Sequence, residues 1–226
     1  MSSFDFVGIF QKAINGALRE LEAKDKVREE LIKETRVTNR LIREAVFLIH
    51  SNRMEKAKEK LRKAWEHINE LFDKAKKFPD LAYGGILGNS FQEYVEAYAL
   101  IKIIEEYKIP AYEELKIPPS FYLTGLADLI GELRRRILDL LREERLDEAE
   151  FMFKLMENLY SVLREVDYPD ALVPGLRRKC DVGRHLIETT RSNILEAKMK
   201  AELVKNIKKI LKLERTIGRG IDDEKN

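Results

Sequence analysis

Glu93 and Glu96 stand three residues apart in the stretch Gln92-Glu93-Tyr94-Val95-Glu96-Ala97. At about 100° per residue, Glu96, Ala97, Leu100 and Ile104 all fall within about 60° of Glu93 on a helical wheel. Lys102 and Glu106 lie on the opposite side. The two acids therefore belong to a stripe that should face inward. A buried carboxylate is costly unless it is paired, protonated or bound to a cation. Two readings of this pair stay open: neutralisation by Arg or Lys from a neighbouring helix, or coordination of a divalent metal.

A second acidic pair, Asp128 and Glu132, is spaced four apart and so shares one helical face. Phe121, Thr124, Arg135 and Asp139 lie on that face, whereas Leu126, Ile130, Leu133, Ile137 and Leu141 point the other way. Taken alone, this pair reads equally as a solvated helix edge with Arg135 and Arg136 nearby. Taken with Glu93 and Glu96, it makes three or four carboxylates from two helices. Such an all-oxygen set suits Mg²⁺ or Mn²⁺. An ion held there could polarise a phosphodiester and generate a nucleophile from water at neutral pH.

Other chemistries are poorly supplied. A di-iron bundle wants Glu-x-x-His, yet the positions three before His50, His67 and His185 are Phe47, Ala64 and Val182. No Ser or Cys elbow accompanies these histidines, which read as packing or surface residues. Cys180 is the only cysteine, which excludes a disulfide framework and thiol-rich zinc sites.

The elements that must carry the acids are helical. From about Ser3 to Ser51 the chain lacks proline and repeats apolar residues with helical period, from Phe6, Ile9 and Phe10 to Leu48 and Ile49. This predicts one very long helix, broken at Ser51-Asn52, with Asn52 as cap of a second helix to about Lys77. Gly84-Gly85 and Gly88-Asn89-Ser90 read as a loop. A third helix carries Glu93 and Glu96 and ends near Tyr107. A fourth, carrying Asp128 and Glu132, runs from Pro118-Pro119 to about Arg142, and a fifth from about Asp147 to Glu165. The last runs from Leu176 to about Leu213. No segment alternates with period two. The expected architecture is all-α: an antiparallel bundle of about six to seven helices in a single domain, 1–215, with a disordered tail over 216–226. A first helix of some 45 residues measures about 70 Å, so part of it should pack on other subunits.

The chain has 226 residues, 44% hydrophobic and 36% charged, with a net charge of only +2. That small charge excludes a global basic field, so any nucleic-acid contact must be local. No apolar run approaches a membrane span and the N-terminus lacks signal-peptide character. A cytoplasmic protein with no membrane partner is expected.

Phe91-Gln92-Glu93-Tyr94-Val95-Glu96-Ala97 and Leu126-Ala127-Asp128-Leu129-Ile130-Gly131-Glu132-Leu133 resemble the translin family, and its translin-associated factor X branch more closely than translin. Glu29 to Thr38 and Ala45 to His50 resemble the opening helix of that branch. The similarity covers most of residues 20–200. The resemblance implies a translin-like all-α fold and a hollow homo-oligomer, octamer-like in size. It also implies a metal-dependent endoribonuclease acting on single-stranded or nicked RNA. Glu93, Glu96 and Asp128 would hold Mg²⁺ or Mn²⁺, with Glu132 as a fourth contributor to the catalytic set. Translin's basic, His-bearing stretch before its third helix has no counterpart in Gly84 to Ser90, which favours the catalytic branch. The alternative is a non-catalytic oligomer of translin type that binds single-stranded DNA or RNA.

Phosphate contacts require local cations. Arg36, Arg40 and Arg43 form one stripe at i, i+4 and i+7, and Arg135 shares the face of Asp128; these four are the nucleic-acid-binding candidates. Arg134 to Arg136, and Arg177-Arg178-Lys179 with Arg184, are further clusters, each read first as solvated or salt-bridged helix surface. Tyr94 and Tyr98 could stack a base, or pack. The basic amphipathic stretch from Lys198 to Lys212 is expected to dock on a neighbouring subunit.

Overall fold

The computed structural model describes residues 6–223, with side chains over 7–212. Its elements are all helical: α1 (Phe6–His50), α2 (Met54–Ala75), α3 (Pro79–Ala82), α4 (Gly85–Glu106), α5 (Tyr112–Leu115), α6 (Pro119–Arg142), α7 (Leu146–Arg164) and α8 (Leu176–Asp223). Within the span expected as one domain the chain forms two compact units. One comprises residues up to Leu129 together with Tyr168–Leu176; the other comprises Ile130–Asp167 and the chain from Arg177.

In the first unit α1 and α2 form an antiparallel pair with a heptad seam. On α1 the buried positions are Leu31, Thr35, Thr38, Ile42, Ala45 and Ile49; on α2 they are Ala57, Leu61, Ala64, Ile68, Leu71 and Ala75. Both series step by four and three, the spacing that keeps one seam facing a partner helix. The seam's two polar members are satisfied within α1: Thr35 Oγ1 donates to the Leu31 carbonyl (2.6 Å), and Thr38 Oγ1 to that of Glu34 (3.2 Å). Cross-helix contacts fix the register, with Lys60 to Glu44 at 2.6 Å, Lys74 to Glu30, and His67 Nδ1 to Thr38 Oγ1 at 2.8 Å.

The turn between them departs from expectation. Asn52 has φ of 56° and closes α1, while Arg53 stands at the N-cap of α2 without a side-chain cap bond. Asparagine tolerates this left-handed geometry, so its role here is to end one helix rather than begin the next.

α4 is the central helix of this unit, packed against both α1 and α2. Leu87, Phe91, Tyr94, Val95, Ala97, Ala99, Leu100, Ile101 and Ile103 are buried on several sides of it, with Gln92, Glu93 and Glu96 half-buried among them. It begins at Gly85, so the expected loop over 84–90 is largely helical. The glycines there serve packing instead of turning: a Cβ at Gly88 would lie 2.4 Å from the Phe121 ring. Ser90, fully buried, donates to Asn39 Oδ1 of α1 at 2.6 Å.

In the second unit the heptad spacing recurs. Ile130, Leu133, Ile137 and Leu140 of α6, Ala149, Met152, Met156, Leu159 and Leu163 of α7, and Ile187, Thr190 and Ile194 of α8 are buried. Gly183 admits Ile130, whose Cδ1 would stand 3.1 Å from an added Cβ. Helix α8 continues through Asp223, past its expected end near Leu213. The expected disordered tail falls partly on this continuation; 224–226 lie outside the described residues. No helix among the described residues is long and apolar enough to cross a membrane.

Candidate functional site

The acidic stripe of α4 is half-withdrawn from solvent. Ala97 and Leu100 are buried, and Glu93, Glu96 and Ile104 are half-buried. Asp128 reaches this stripe from α6 because of Gly125, one turn before it. A Cβ at Gly125 would meet the Gln92 carbonyl oxygen and Val95 Cβ, both at 2.8 Å. The α6 backbone thus lies directly on the turn of α4 that carries Glu93. Asp128 is half-buried, and Thr124, on the same face, is buried. The edge that periodicity left open to solvent is therefore covered.

Burial pushes the Glu93 carboxyl above its ordinary range; the Arg43 guanidinium on α1 counters this, and the negative charge of Asp128 adds to it. Glu93 Oε2 is buried and accepts no hydrogen bond. A carboxylate oxygen is acceptor-only when ionised, so its missing partner is a donor or a cation. Two acids whose charges repel one another, one with an unsatisfied buried oxygen, fit a hard divalent ion. Among the described residues, no group of three or more His, Cys, Asp or Glu side chains forms a ready-made metal cage. The fit therefore lies in the Glu93–Asp128 pair, with Glu96 a turn further along α4. Glu132 belongs to the second unit, where its Oε2 stands 3.7 Å from Arg135.

Of the arginine candidates, Arg36, Arg40, Arg43 and Arg135 are all exposed. Arg43 alone is tied electrostatically to Glu93. In the remaining basic clusters Arg134 donates to Thr189 and Thr190, and the exposed Arg177 pairs with Asp167. Arg136 is buried, with Nε and Nη1 lacking acceptors, so it cannot reach a phosphate outside the fold. Tyr94 is buried and stacked between Trp65 (ring centroids 4.7 Å apart) and Tyr98 (5.8 Å). It packs; its faces are taken. Burial holds both the Tyr94 hydroxyl and the half-buried Cys180 thiol in their neutral forms, the latter contrary to what a reactive thiolate needs. Sequence reasoning grouped Arg43 with Arg36 and Arg40 as a phosphate stripe; its relation to Glu93 depends on how α1 packs against α4, which periodicity does not report.

Residues 26–189 match the family model described as the Translin family. An uncharacterized protein of Methanocaldococcus jannaschii is 35% identical over 210 residues, covering 91% of each chain. Among solved structures, AfC3PO in complex with duplex RNA has a TM-score of 0.74 at 33% identity, covering 83% of this chain and 97% of its own. A second crystal structure of AfC3PO gives the same score and identity and is covered to 98%. Apo-NeC3PO, at 23% identity and a TM-score of 0.73, shares the fold. The chain belongs to the Translin family.

Proposed function

We propose that this protein is a Mg²⁺- or Mn²⁺-dependent endoribonuclease acting on single-stranded or nicked RNA within a cytoplasmic homo-oligomer. The observation that carries the reading is the buried, unsatisfied Oε2 of Glu93 beside Asp128. Support also comes from the similarity to AfC3PO, which was solved with duplex RNA, and from the factor X-like motifs around both acids.

Glu93, Glu96 and Asp128 would hold the ion. When bound, such an ion polarises a phosphodiester and lowers the pKa of water. Arg43, next to Glu93, supplies fixed positive charge where negative charge develops on the phosphate. Arg36 and Arg40 continue that charge along α1.

Assembly is supported by apolar side chains left in solvent at both long helices. Phe10, Ile14, Leu18 and Leu21 of α1 are more than half exposed, as are Leu195, Met199 and Leu203 of α8. The octamer-like size is the one the family resemblance implies, and light scattering coupled to size exclusion measures it.

The deciding experiment incubates labelled RNA with Mg²⁺, Mn²⁺ or EDTA, using wild type and Glu96→Gln. Metal-dependent cleavage that disappears in the variant supports the enzyme. RNA bound equally by both forms with no cleavage by either supports the second reading, a non-catalytic DNA- or RNA-binding oligomer.

A further inference from the structure

We propose that the groove at the α1–α2 turn is a channel for single-stranded RNA leading to the acidic pair, with Phe47 as the platform for one unstacked base. This rests on the RNA reading above and extends it to residues outside the acidic site.

The groove encloses about 590 Å³, within the range of roughly 300–1,000 Å³ typical of ligand sites. Arg40, Arg43, Arg53, Lys56 and Lys60 line it, against two acids, Glu44 and Glu59. Both acids are already engaged, Glu44 by Lys60 and Glu59 by Lys63, each at 2.6 Å. The unbalanced positive charge therefore falls on Arg40, Arg43, Arg53 and Lys56, and it calls for a polyanion. Arg43 links the groove to the acids: it lines the groove and stands on α1, which packs against α4, the helix of Glu93.

Phe47 distinguishes this groove from a simple basic patch. Its side chain is 61% exposed among these cations. Every base has a π-face, and aromatic side chains next to a basic groove bind single strands by stacking. Bases inside a duplex are already stacked on each other and offer no such face. The arrangement thus selects single-stranded segments, or the frayed end of a nick, and feeds the adjoining phosphate toward Arg43 and Glu93.

The test uses full-length protein in EDTA, so that cleavage cannot deplete the probe. Dissociation constants for a labelled single-stranded oligoadenylate and for a duplex of the same length are measured by anisotropy across a salt series. We expect Arg53→Ala/Lys56→Ala to weaken single-strand binding about tenfold and to flatten the log–log salt slope by about 1–1.5. Phe47→Ala should weaken single-strand binding at least about fivefold and duplex binding less, with Phe47→Trp restoring it. The proposal is overturned if the variants bind with wild-type affinity and slope, or if Phe47→Ala affects both probes equally. It is also overturned if light scattering shows a changed subunit number, which would make the groove a contact between copies. A wild type that binds neither probe sinks the RNA reading itself, whereas a wild type that binds while the variants match it sinks the groove alone.

Discussion

Glu93 of α4 and Asp128 of α6 lie close enough that the charge of Asp128 helps push the Glu93 carboxyl up, with burial the larger cause and Arg43 the opposing one. This is an unfavourable arrangement for the fold by itself. A carboxyl whose pKa is raised in the folded chain binds its proton more tightly there than in the unfolded chain. Stability therefore falls as pH rises from the ordinary value of 4.5 through the raised one, and the cost is complete above it. Acids are retained in such positions when they serve something other than stability.

Glu93→Gln, in metal-free buffer, should consequently raise the melting temperature at pH 7–8 and leave it unchanged below about pH 4.5, where both side chains are neutral. About 2–4 °C is the expected size, corresponding to about 1 kcal/mol in a chain of this length. Thermal melts at fixed protein concentration across pH 4–8 read it directly. A variant less stable than wild type at neutral pH would show that the charge of Arg43 outweighs burial and Asp128.

Divalent cations should reverse that order. An ion that binds only the folded chain adds stability as its concentration exceeds Kd, about 2.7 kcal/mol at a hundredfold excess. Wild type should thus melt higher in Mg²⁺ or Mn²⁺ than in EDTA, while Glu93→Gln gains little. An equal gain in the variant would place the ion elsewhere.

Much of this organisation is written in the chain, and the exceptions share a cause. The long α1 and the inward stripe of α4, with Ala97 and Leu100 buried, follow from helical period and the absence of proline, and the inward tilt of Glu93 and Glu96 comes with them. Gly88 and Gly125, by contrast, look like turn residues or helix weaknesses in one dimension; only the approach of Phe121 and of α4 reveals why a side chain is excluded. Asn52 carries the same ambiguity, since one residue type serves both to start and to end helices. Tyr112–Leu115 is too short, at one turn, to display a period at all. Asp128 is the clearest case. Its own helix places it on the polar edge, and the period of that helix does not say that this edge meets the acids of α4, where Gly125 now seats it.

Gly125→Ala should accordingly damage both fold and site. The added methyl meets the Gln92 carbonyl oxygen and Val95 Cβ at 2.8 Å, and a backbone atom cannot swing aside as a side-chain tip can. Overpacking of this kind costs about 1–3 kcal/mol, and relief by separating α4 from α6 draws Asp128 away from Glu93. A lower melting temperature and a lost Mg²⁺ shift are expected together. Gly131→Ala is the control on the same helix: its Cβ meets nothing within 4 Å, and alanine favours a helix interior by about 0.5–1 kcal/mol.

Asp128→Asn separates the acid's chemical role from its structural one. The amide keeps the shape and removes the negative charge, so the repulsion on Glu93 disappears while burial and Arg43 remain. Glu93 should titrate nearer its ordinary value, narrowing the pH window over which the variant loses stability, and the fold should melt at or above the wild-type temperature at neutral pH. RNA cleavage, if the ion is held as proposed, should fall by at least about a hundredfold, the scale of losing one preorganised electrostatic contact at a reacting phosphate. Collapse of the fold would make Asp128 a structural residue. Full activity in a well-folded variant would remove it from the metal set and leave Glu93 and Glu96 to account for the chemistry alone.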